Sequence, residues 1–121
     1  MEKVIAWTDS KGIRGKVSAE FDDVMFVSSF EEFKANVSAD TLNIMDTQYF
    51  GAGDFLIEEK TNSFVKGNPG IEIHIFVFEE RDREKISSGI GTGYIRRDSP
   101  NAIVYSSLPD IPIKERIEHK I

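Results

Sequence analysis

Short apolar runs recur along the chain and are separated by longer amphipathic segments. Runs of this kind, without regular polar alternation, are typical of strands buried on both faces of a parallel sheet. The predicted strands are Val4–Trp7, Val24–Val27, Leu42–Met45, Ile71–Phe78 and Ala102–Tyr105. Tyr94–Ile95 is a competing fifth strand, in which case residues 102–105 form an additional edge strand. The pattern leaves this choice open.

Capping residues and helix breakers predict helices between these strands. Ser10 follows the first strand, and Ser29 with Glu32 three residues later has the spacing of a capping box. Residues 67–70, Gly-Asn-Pro-Gly, end a third helix, and a last helix follows Pro112. Alternation of strands and helices predicts an α/β fold, a three-layer α/β/α sandwich around a mostly parallel five-stranded sheet.

Composition narrows the fold class and the compartment. The chain has 121 residues, 40% hydrophobic and 30% charged, which suits one globular domain over residues 1–121. It has no cysteine, which excludes disulfides, zinc–thiolate sites and thiol catalysis. The first apolar run is too short for a signal-peptide core, and Glu72 and His74 interrupt the longest one. We therefore expect a cytoplasmic protein with no membrane partner.

Charge argues against nucleic acid as a partner. The net charge is −6 and the sequence pI is about 4.9, the wrong sign for attraction to phosphates. Lys11, Arg14 and Lys16 form a local basic group that one helix face explains.

His74 lies between two isoleucines of a predicted strand, so we expect a hydrogen-bonded histidine on the sheet and not a ligand or a base.

Two acidic residues stand at predicted strand ends. Asp9 follows the first strand and Asp46 ends the third. Sites in open parallel sheets form at the carboxyl ends of the strands, so the two carboxylates come together if these strands are neighbours. Mg²⁺ prefers oxygen ligands and would suit such a pair. The alternative is that Asp9 only caps its helix and Asp46 only caps a loop.

Four segments in chain order carry a family resemblance. They are Val4–Asp9 (VIAWTD), Leu42–Asp46 (LNIMD), Glu72–Ile86 and Gly91–Arg97 (GTGYIRR). Their order and end-of-strand residues resemble the receiver domain of two-component response regulators, which has a flavodoxin-like fold, nearest to the single-domain chemotaxis kind. The resemblance implies that Asp46 is the phosphoacceptor and that Arg97 is a phosphate partner. It also implies a weak Mg²⁺ site formed by Asp9, Asp46 and the backbone carbonyl of Gln48.

Three positions depart from the family pattern. Thr8 stands where the family has the first residue of an acidic pair, and Phe78 stands where it has a hydroxyl residue. Arg97 replaces the family's lysine, and its planar fork differs from an ammonium point charge. Fewer carboxylates weaken a cation site, and Phe78 has no hydrogen to donate to a phosphoryl group. The resemblance therefore implies a degenerate receiver, or pseudo-receiver, with weak or absent phosphoryl acceptance at Asp46.

These departures favour signalling through a surface. We expect an atypical receiver-like module that binds a protein partner, as a monomer or homodimer, with no enzymatic turnover beyond self-phosphorylation from a phosphodonor. Aromatic residues near the strand ends are the candidate interaction surface, namely Tyr49, Phe50, Phe78 and Tyr94. Packing at the rim of the core is the alternative for these aromatics.

Two other functions stay open. Residues 8–12, Thr-Asp-Ser-Lys-Gly, follow the first strand and faintly suggest the phosphate loop of a flavodoxin-like protein that binds flavin or another phosphate ligand. A phosphate cradle prefers several small residues with free N–H groups, and this loop has one glycine. A structural assembly subunit is the third reading, with edge strand 102–105 pairing between chains.

Overall fold

The computed structural model describes residues 2–46, 60, 63–76, 100–105 and 111–119. Five strands are described: β1 (Val4–Trp7), β2 (Val24–Val27), β3 (Leu42–Asp46), β4 (Ile73–Phe76) and β5 (Ala102–Tyr105). The helices are α1 (Lys11–Glu20), α2 (Phe30–Asn36), α3 (helical residues 63–67) and α4 (Ile113–His119). No helix within these ranges combines the length and the apolar composition needed to cross a bilayer.

All four strand pairings in the sheet are parallel, and the strand order is β2-β1-β3-β4-β5. This is the order of doubly wound, flavodoxin-like sheets. The predicted α/β class and parallel sheet are confirmed. β5 pairs directly with β4, with Ala102 opposite Ile73, so residues 102–105 form the fifth strand of the sheet. The competing segment, residues 94–97, lies outside the described residues.

Side chains on the two faces of the sheet form two separate core clusters. One face packs against α2 and α3, and its buried members include Trp7, Phe33 and Val65. The other face packs against α1 and α4, where Val17 and Ile113 are buried. Burying one large apolar side chain contributes about 1.5–3 kcal/mol, so the two clusters stabilise helices that are too short to persist alone. The result is the predicted three-layer arrangement.

Side-chain caps fix where the helices begin. The Ser10 hydroxyl accepts a hydrogen bond from the backbone N–H of Ile13 at 3.3 Å, and the Ser29 hydroxyl accepts one from Glu32 at 3.2 Å. Both caps agree with the sequence pattern. The cap of α4 is different, because Glu20 at the end of α1 supplies it. Its carboxylate accepts the N–H groups of residues 113 and 114 at 2.9 and 2.8 Å, which ties the two helices together.

A buried asparagine holds the amino end of β5. The side-chain nitrogen of Asn101 lies 2.8 Å from the carbonyl oxygen of Val65 and 3.0 Å from those of Asn68 and Ile71. Asn101 is 6% exposed, and its own carbonyl accepts the N–H of Ile73 at 2.8 Å. One side chain therefore connects the turn after α3 to the start of β5.

A second asparagine holds the amino end of β3. The side-chain nitrogen of Asn43 donates to the carbonyl oxygens of Ser38 at 3.1 Å and Glu72 at 2.9 Å. Its oxygen accepts the Thr41 hydroxyl at 2.6 Å. Asn43 is fully buried, so each of these contacts compensates for a polar atom taken out of water.

Candidate functional site

The carboxyl ends of β1 and β3 bring Thr8 and Asp46 together. β1 and β3 are adjacent and parallel, with Trp7 opposite Met45, so the residues that follow meet at the same edge. The Thr8 hydroxyl donates to Oδ2 of Asp46 at 2.9 Å. Each residue is only 2% exposed. A hydrogen bond to a charged acceptor is worth about 1.5–3 kcal/mol, so this contact is a substantial part of the local stability.

The direction of this hydrogen bond is fixed by a second contact of Thr8. The Thr8 hydroxyl oxygen accepts the backbone N–H of Ser10 at 3.1 Å. A hydroxyl has one hydrogen to donate, and here it is directed to Asp46. Asp46 is therefore the acceptor, and the loop from β1 to α1 holds the hydroxyl in place.

Arg14 lies across the ends of β1 and β2. Its Nε donates to the backbone carbonyl of Thr8 at 2.9 Å, and its Nη2 donates to the Ser28 hydroxyl at 3.2 Å. The same Nη2 lies 3.6 Å from Oδ1 of Asp9. The guanidinium carbon stands 5.2 Å from the centre of the Phe26 ring, within range of a cation–π contact. Arg14 is therefore positioned by both strand ends.

Both described carboxyl groups at this edge already have partners. Asp46 accepts the Thr8 hydroxyl, and Asp9 pairs with the guanidinium of Arg14. A positive charge beside one of the two carboxylates repels a second cation. In the part of the chain that the structure describes, no three His, Cys, Asp or Glu side chains are grouped as metal ligands would be. Gln48, the third ligand that the resemblance implies, lies outside the described residues.

Two backbone N–H groups near the start of α1 bind hydroxyl groups of the preceding loop. The N–H of Ser10 binds the Thr8 hydroxyl, and the N–H of Ile13 binds the Ser10 hydroxyl. A phosphate cradle needs such groups to point at the ligand. The N–H groups of Ser10 and Ile13 are thus bound by hydroxyl groups of the same segment.

A separate polar cluster lies on the sheet face that α1 and α4 cover. His74 is 3% exposed, and its Nδ1 lies 2.7 Å from the hydroxyl of Tyr105. Its Nε2 lies 3.0 Å from Oε1 of Glu72. The hydrogen-bonded role that the sequence predicts for His74 is confirmed.

Aromatic stacking joins this cluster to α4. The ring of Tyr105 stacks on Phe76 with centroids 4.5 Å apart, and the buried guanidinium of Arg116 stands 5.0 Å from the Phe76 ring. Burial, followed by the Glu72 carboxylate, raises the pKa of the Tyr105 hydroxyl, and Arg116 partly offsets this. Burial lowers the pKa of Arg116. The stacked rings and the guanidinium pack β4, β5 and α4 against one another.

Of the predicted site residues, the structure describes two, Asp9 and Asp46. Both lie at the predicted edge, but Asp9 does not cap α1, since Ser10 does. The other predicted site residues lie outside the described residues: Gln48, Tyr49, Phe50, Phe78, Tyr94 and Arg97.

The sequence analysis missed the part played by Arg14. Helical spacing placed Arg14 on a solvated basic face, whereas its side chain turns to the sheet edge. A useful signal was present, because Arg14 lies one turn into α1. Long helical side chains point back towards the helix N-terminus, which here adjoins the end of β1.

The strand order identifies a fold class that many unrelated functions share. Comparisons of the chain with protein-family models, with curated proteins and with solved structures found no match. The contacts at the described strand ends are therefore the basis for a proposal about function.

Proposed function

We propose that this chain is an atypical receiver-like signalling module that acts through protein–protein contacts and accepts a phosphoryl group at Asp46 weakly or not at all. One observation supports the proposal above all others. Asp46 is buried at the carboxyl end of the central strand, and its Oδ2 accepts the Thr8 hydroxyl at 2.9 Å.

This contact opposes phosphoryl transfer to Asp46. A carboxylate oxygen must attack the phosphorus atom, and the hydrogen bond from Thr8 makes Oδ2 of Asp46 a weaker nucleophile. The transferred group also carries negative charge, which a cation must offset. Arg14, which lies beside Asp9, already contacts Asp9, Ser28 and the Thr8 carbonyl.

The contacts at the described ends of β1 and β3 favour a function in which the protein binds a partner through its surface. The N–H groups of Ser10 and Ile13 are bound by hydroxyl groups of the same segment, so these two are not available to a phosphate ligand. Among the described residues, Met25 on edge strand β2 is the large apolar side chain with notable exposure, at 37%. The net charge of −6 favours a partner with basic character. The aromatic candidates for the partner surface lie outside the described residues and stay part of the proposal.

Phosphodonor labelling tests the chemical half of the proposal. The purified chain is incubated with acetyl phosphate and Mg²⁺ and then weighed intact by mass spectrometry, with Asp46→Asn as the matched control. We expect at most a small fraction of the parent chain, and none of the Asp46→Asn protein, to gain a phosphoryl group. A gain over most of the parent chain that Asp46→Asn abolishes would show a working receiver and overturn the proposal.

Amide NMR spectra test the other half. Beryllofluoride with Mg²⁺ mimics a phosphorylated aspartate, so a working receiver shifts many amide signals when it is added. We expect the spectrum to stay unchanged, and we expect a partner protein to bind equally well with and without these additions. Binding that requires beryllofluoride would contradict a phosphorylation-independent module.

A further inference from the structure

We propose that two copies of this chain pair through β2 (Val24–Val27), antiparallel and about a two-fold axis at Met25, so that their sheets become continuous. The inference concerns self-association alone. It does not depend on the chemistry of Asp46, so a failure of the proposed function would leave it standing.

β2 is an edge strand without the usual protection against pairing. Among the described strands its neighbour is β1, on one side only. Its four residues, Val-Met-Phe-Val, include no charged residue and no proline, which commonly keep an exposed edge from pairing. Met25 is 37% exposed, and it is the large apolar side chain with notable exposure in the described part of the chain. Such an edge is a template for another strand.

The pairing with β1 determines which backbone groups of β2 face outward. The N–H of Val4 donates to the carbonyl of Asp23 at 2.8 Å, and Val4 is the register partner of Val24. In a parallel pair, alternate residues of a strand bond to the same neighbour, so Asp23 and Met25 direct their backbone groups to β1. The N–H and C=O groups of Val24 and Phe26 therefore point away from β1, towards the position of a second strand.

These outward groups select one antiparallel register. Val24 of one copy lies opposite Phe26 of the other and exchanges both backbone hydrogen bonds with it, and the two-fold axis repeats this pair. Met25 then faces Met25 of the second copy across the axis. The two form a non-hydrogen-bonded pair, in which opposite side chains are closest. Each exposed thioether is thereby covered by its own counterpart.

The two ends of β2 are complementary in this register. Asp22 precedes the strand and is exposed, and it falls opposite Ser28 of the second copy. The Ser28 hydroxyl accepts Nη2 of Arg14, which also approaches Asp9, so a guanidinium stands at that end. The described contacts of Arg14 use Nε and Nη2, and Nη1 can therefore donate to the Asp22 carboxylate. This match of opposite ends favours a second copy over an unrelated strand.

The dimer should be weak. Two four-residue strands cover less surface than the roughly 1,200–2,000 Å² that stable complexes bury. The net charge of −6 on each copy adds repulsion. We therefore expect a dimer that dissociates on dilution.

Sedimentation velocity of the full chain between about 10 µM and about 1 mM measures this association. We expect the average mass to rise with concentration from that of one chain towards that of two. Met25→Lys places two ammonium groups opposite each other and should keep the protein monomeric. Glu118→Gln, exposed on α4, makes the same change in net charge and should associate within about twofold of the parent chain.

Asp22→Arg tests the match of the ends. It places a second positive charge beside Arg14 of the other copy, so we expect the dissociation constant to rise at least about fivefold. Asp40→Arg makes the same change in charge in the exposed turn before β3, and it should leave the association unchanged or tighten it. Equal dissociation constants for the two variants would contradict the match.

A thiol at position 25 tests the register. The chain has no cysteine, so Met25→Cys introduces a single thiol that the axis places opposite its counterpart. With oxidised glutathione as the electron acceptor, we expect Met25→Cys to form a disulfide-linked dimer at least about tenfold faster than Ser18→Cys, which is exposed on α1.

Three results would overturn the inference. A parent chain that stays monomeric up to about 1 mM would leave β2 to a strand from a different protein. A dimer that persists in folded Met25→Lys protein would place the contact elsewhere, such as on β5. Equal rates of disulfide formation in the two cysteine variants would exclude the register at Met25. If Met25→Lys does not fold, the comparison of cysteine variants decides by itself.

Discussion

The amino ends and the carboxyl ends of the strands are held together by different chemistry. At the amino ends, Asn43 and Asn101 bind backbone carbonyls of neighbouring segments and are buried. At the carboxyl ends, Thr8, Asp46 and Arg14 use a hydroxyl, a carboxyl and a guanidinium. Both edges connect strands, but the described contacts at the first are made by neutral amides and those at the second include a carboxyl group and a guanidinium.

This difference in chemistry predicts that substitutions at the two edges have different effects. A neutral amide bound to carbonyls does not titrate and does not attract ions, so Asn43 and Asn101 stabilise the fold. The carboxyl-end edge combines buried and exposed charged groups, since Asp46 is 2% exposed and the Asp9 side chain is 55% exposed. We therefore expect the largest losses of stability at the buried asparagines of the amino ends and smaller losses at the carboxyl ends.

The largest effect is expected for Asn101→Asp. The substitution replaces a nitrogen donor that lies within 3.0 Å of three carbonyl oxygens by a second acceptor, and it buries a charge among them. We expect a loss of about 3–5 kcal/mol in the free energy of unfolding, measured by urea titration. Asn36→Asp, which alters one exposed hydrogen bond, should cost less than about 1 kcal/mol. Equal losses would contradict the structural role of the amino-end edge.

Thr8→Val should rank second. It conserves shape but removes the hydroxyl that donates to Asp46, which leaves a buried carboxyl oxygen without that donor. We expect the free energy of unfolding to fall by about 1.5–3 kcal/mol. Thr8→Ser keeps the hydroxyl and should cost less than about 1 kcal/mol. Similar losses in both variants would indicate that the methyl group matters and the hydrogen bond does not.

Tyr105 should make stability depend on alkaline pH. Burial raises the pKa of its hydroxyl in the folded protein, so the unfolded chain loses this proton first as the pH rises. The stabilisation is complete below the unfolded value near 10 and is lost above it, by about 1.4 kcal/mol per pH unit for one group. In the Tyr105→Phe protein, the free energy of unfolding should fall less steeply with pH between about pH 9 and about pH 11. An unchanged slope would contradict the assignment.

The smallest effect on stability is expected for Arg14→Gln. The Arg14–Asp9 pair is partly exposed, with side chains 36% and 55% exposed, and such pairs contribute about 0–1 kcal/mol. Salt should reduce even this difference, since it screens exposed charges. Thermal unfolding at low and high salt measures it. A loss as large as that of Asn101→Asp would mean that Arg14 is a structural residue and not an ionic one.

Much of the fold follows from the sequence, because buried parallel strands need continuous apolar runs. Val4–Trp7 and Val24–Val27 have the predicted bounds, and the Ser10 and Ser29 caps depend only on local spacing. The fourth strand is described over Ile73–Phe76, and its start is later than predicted. Ile71 before it is only partly buried, and its carbonyl binds Asn101.

The candidate site is only partly predictable from sequence. Asp9 and Asp46 follow from the rule that parallel strands end at one edge. Arg14 does not, because its polar position on α1 is equally consistent with a solvated face until the tertiary fold sets the distance to Ser28. Asn101 is similar, since its three acceptors lie about thirty or more residues away in sequence. Hydrogen bonds between residues that are far apart in sequence produce no periodic pattern along the chain.

A crystal structure of the chain grown with beryllofluoride and Mg²⁺ tests the central claim most directly. We predict that the Thr8 hydroxyl stays at about the present 2.9 Å from Asp46 and that Asp46 carries no added group. Beryllofluoride on Asp46, with Mg²⁺ between Asp46 and Asp9 and the Thr8 contact broken, would contradict it.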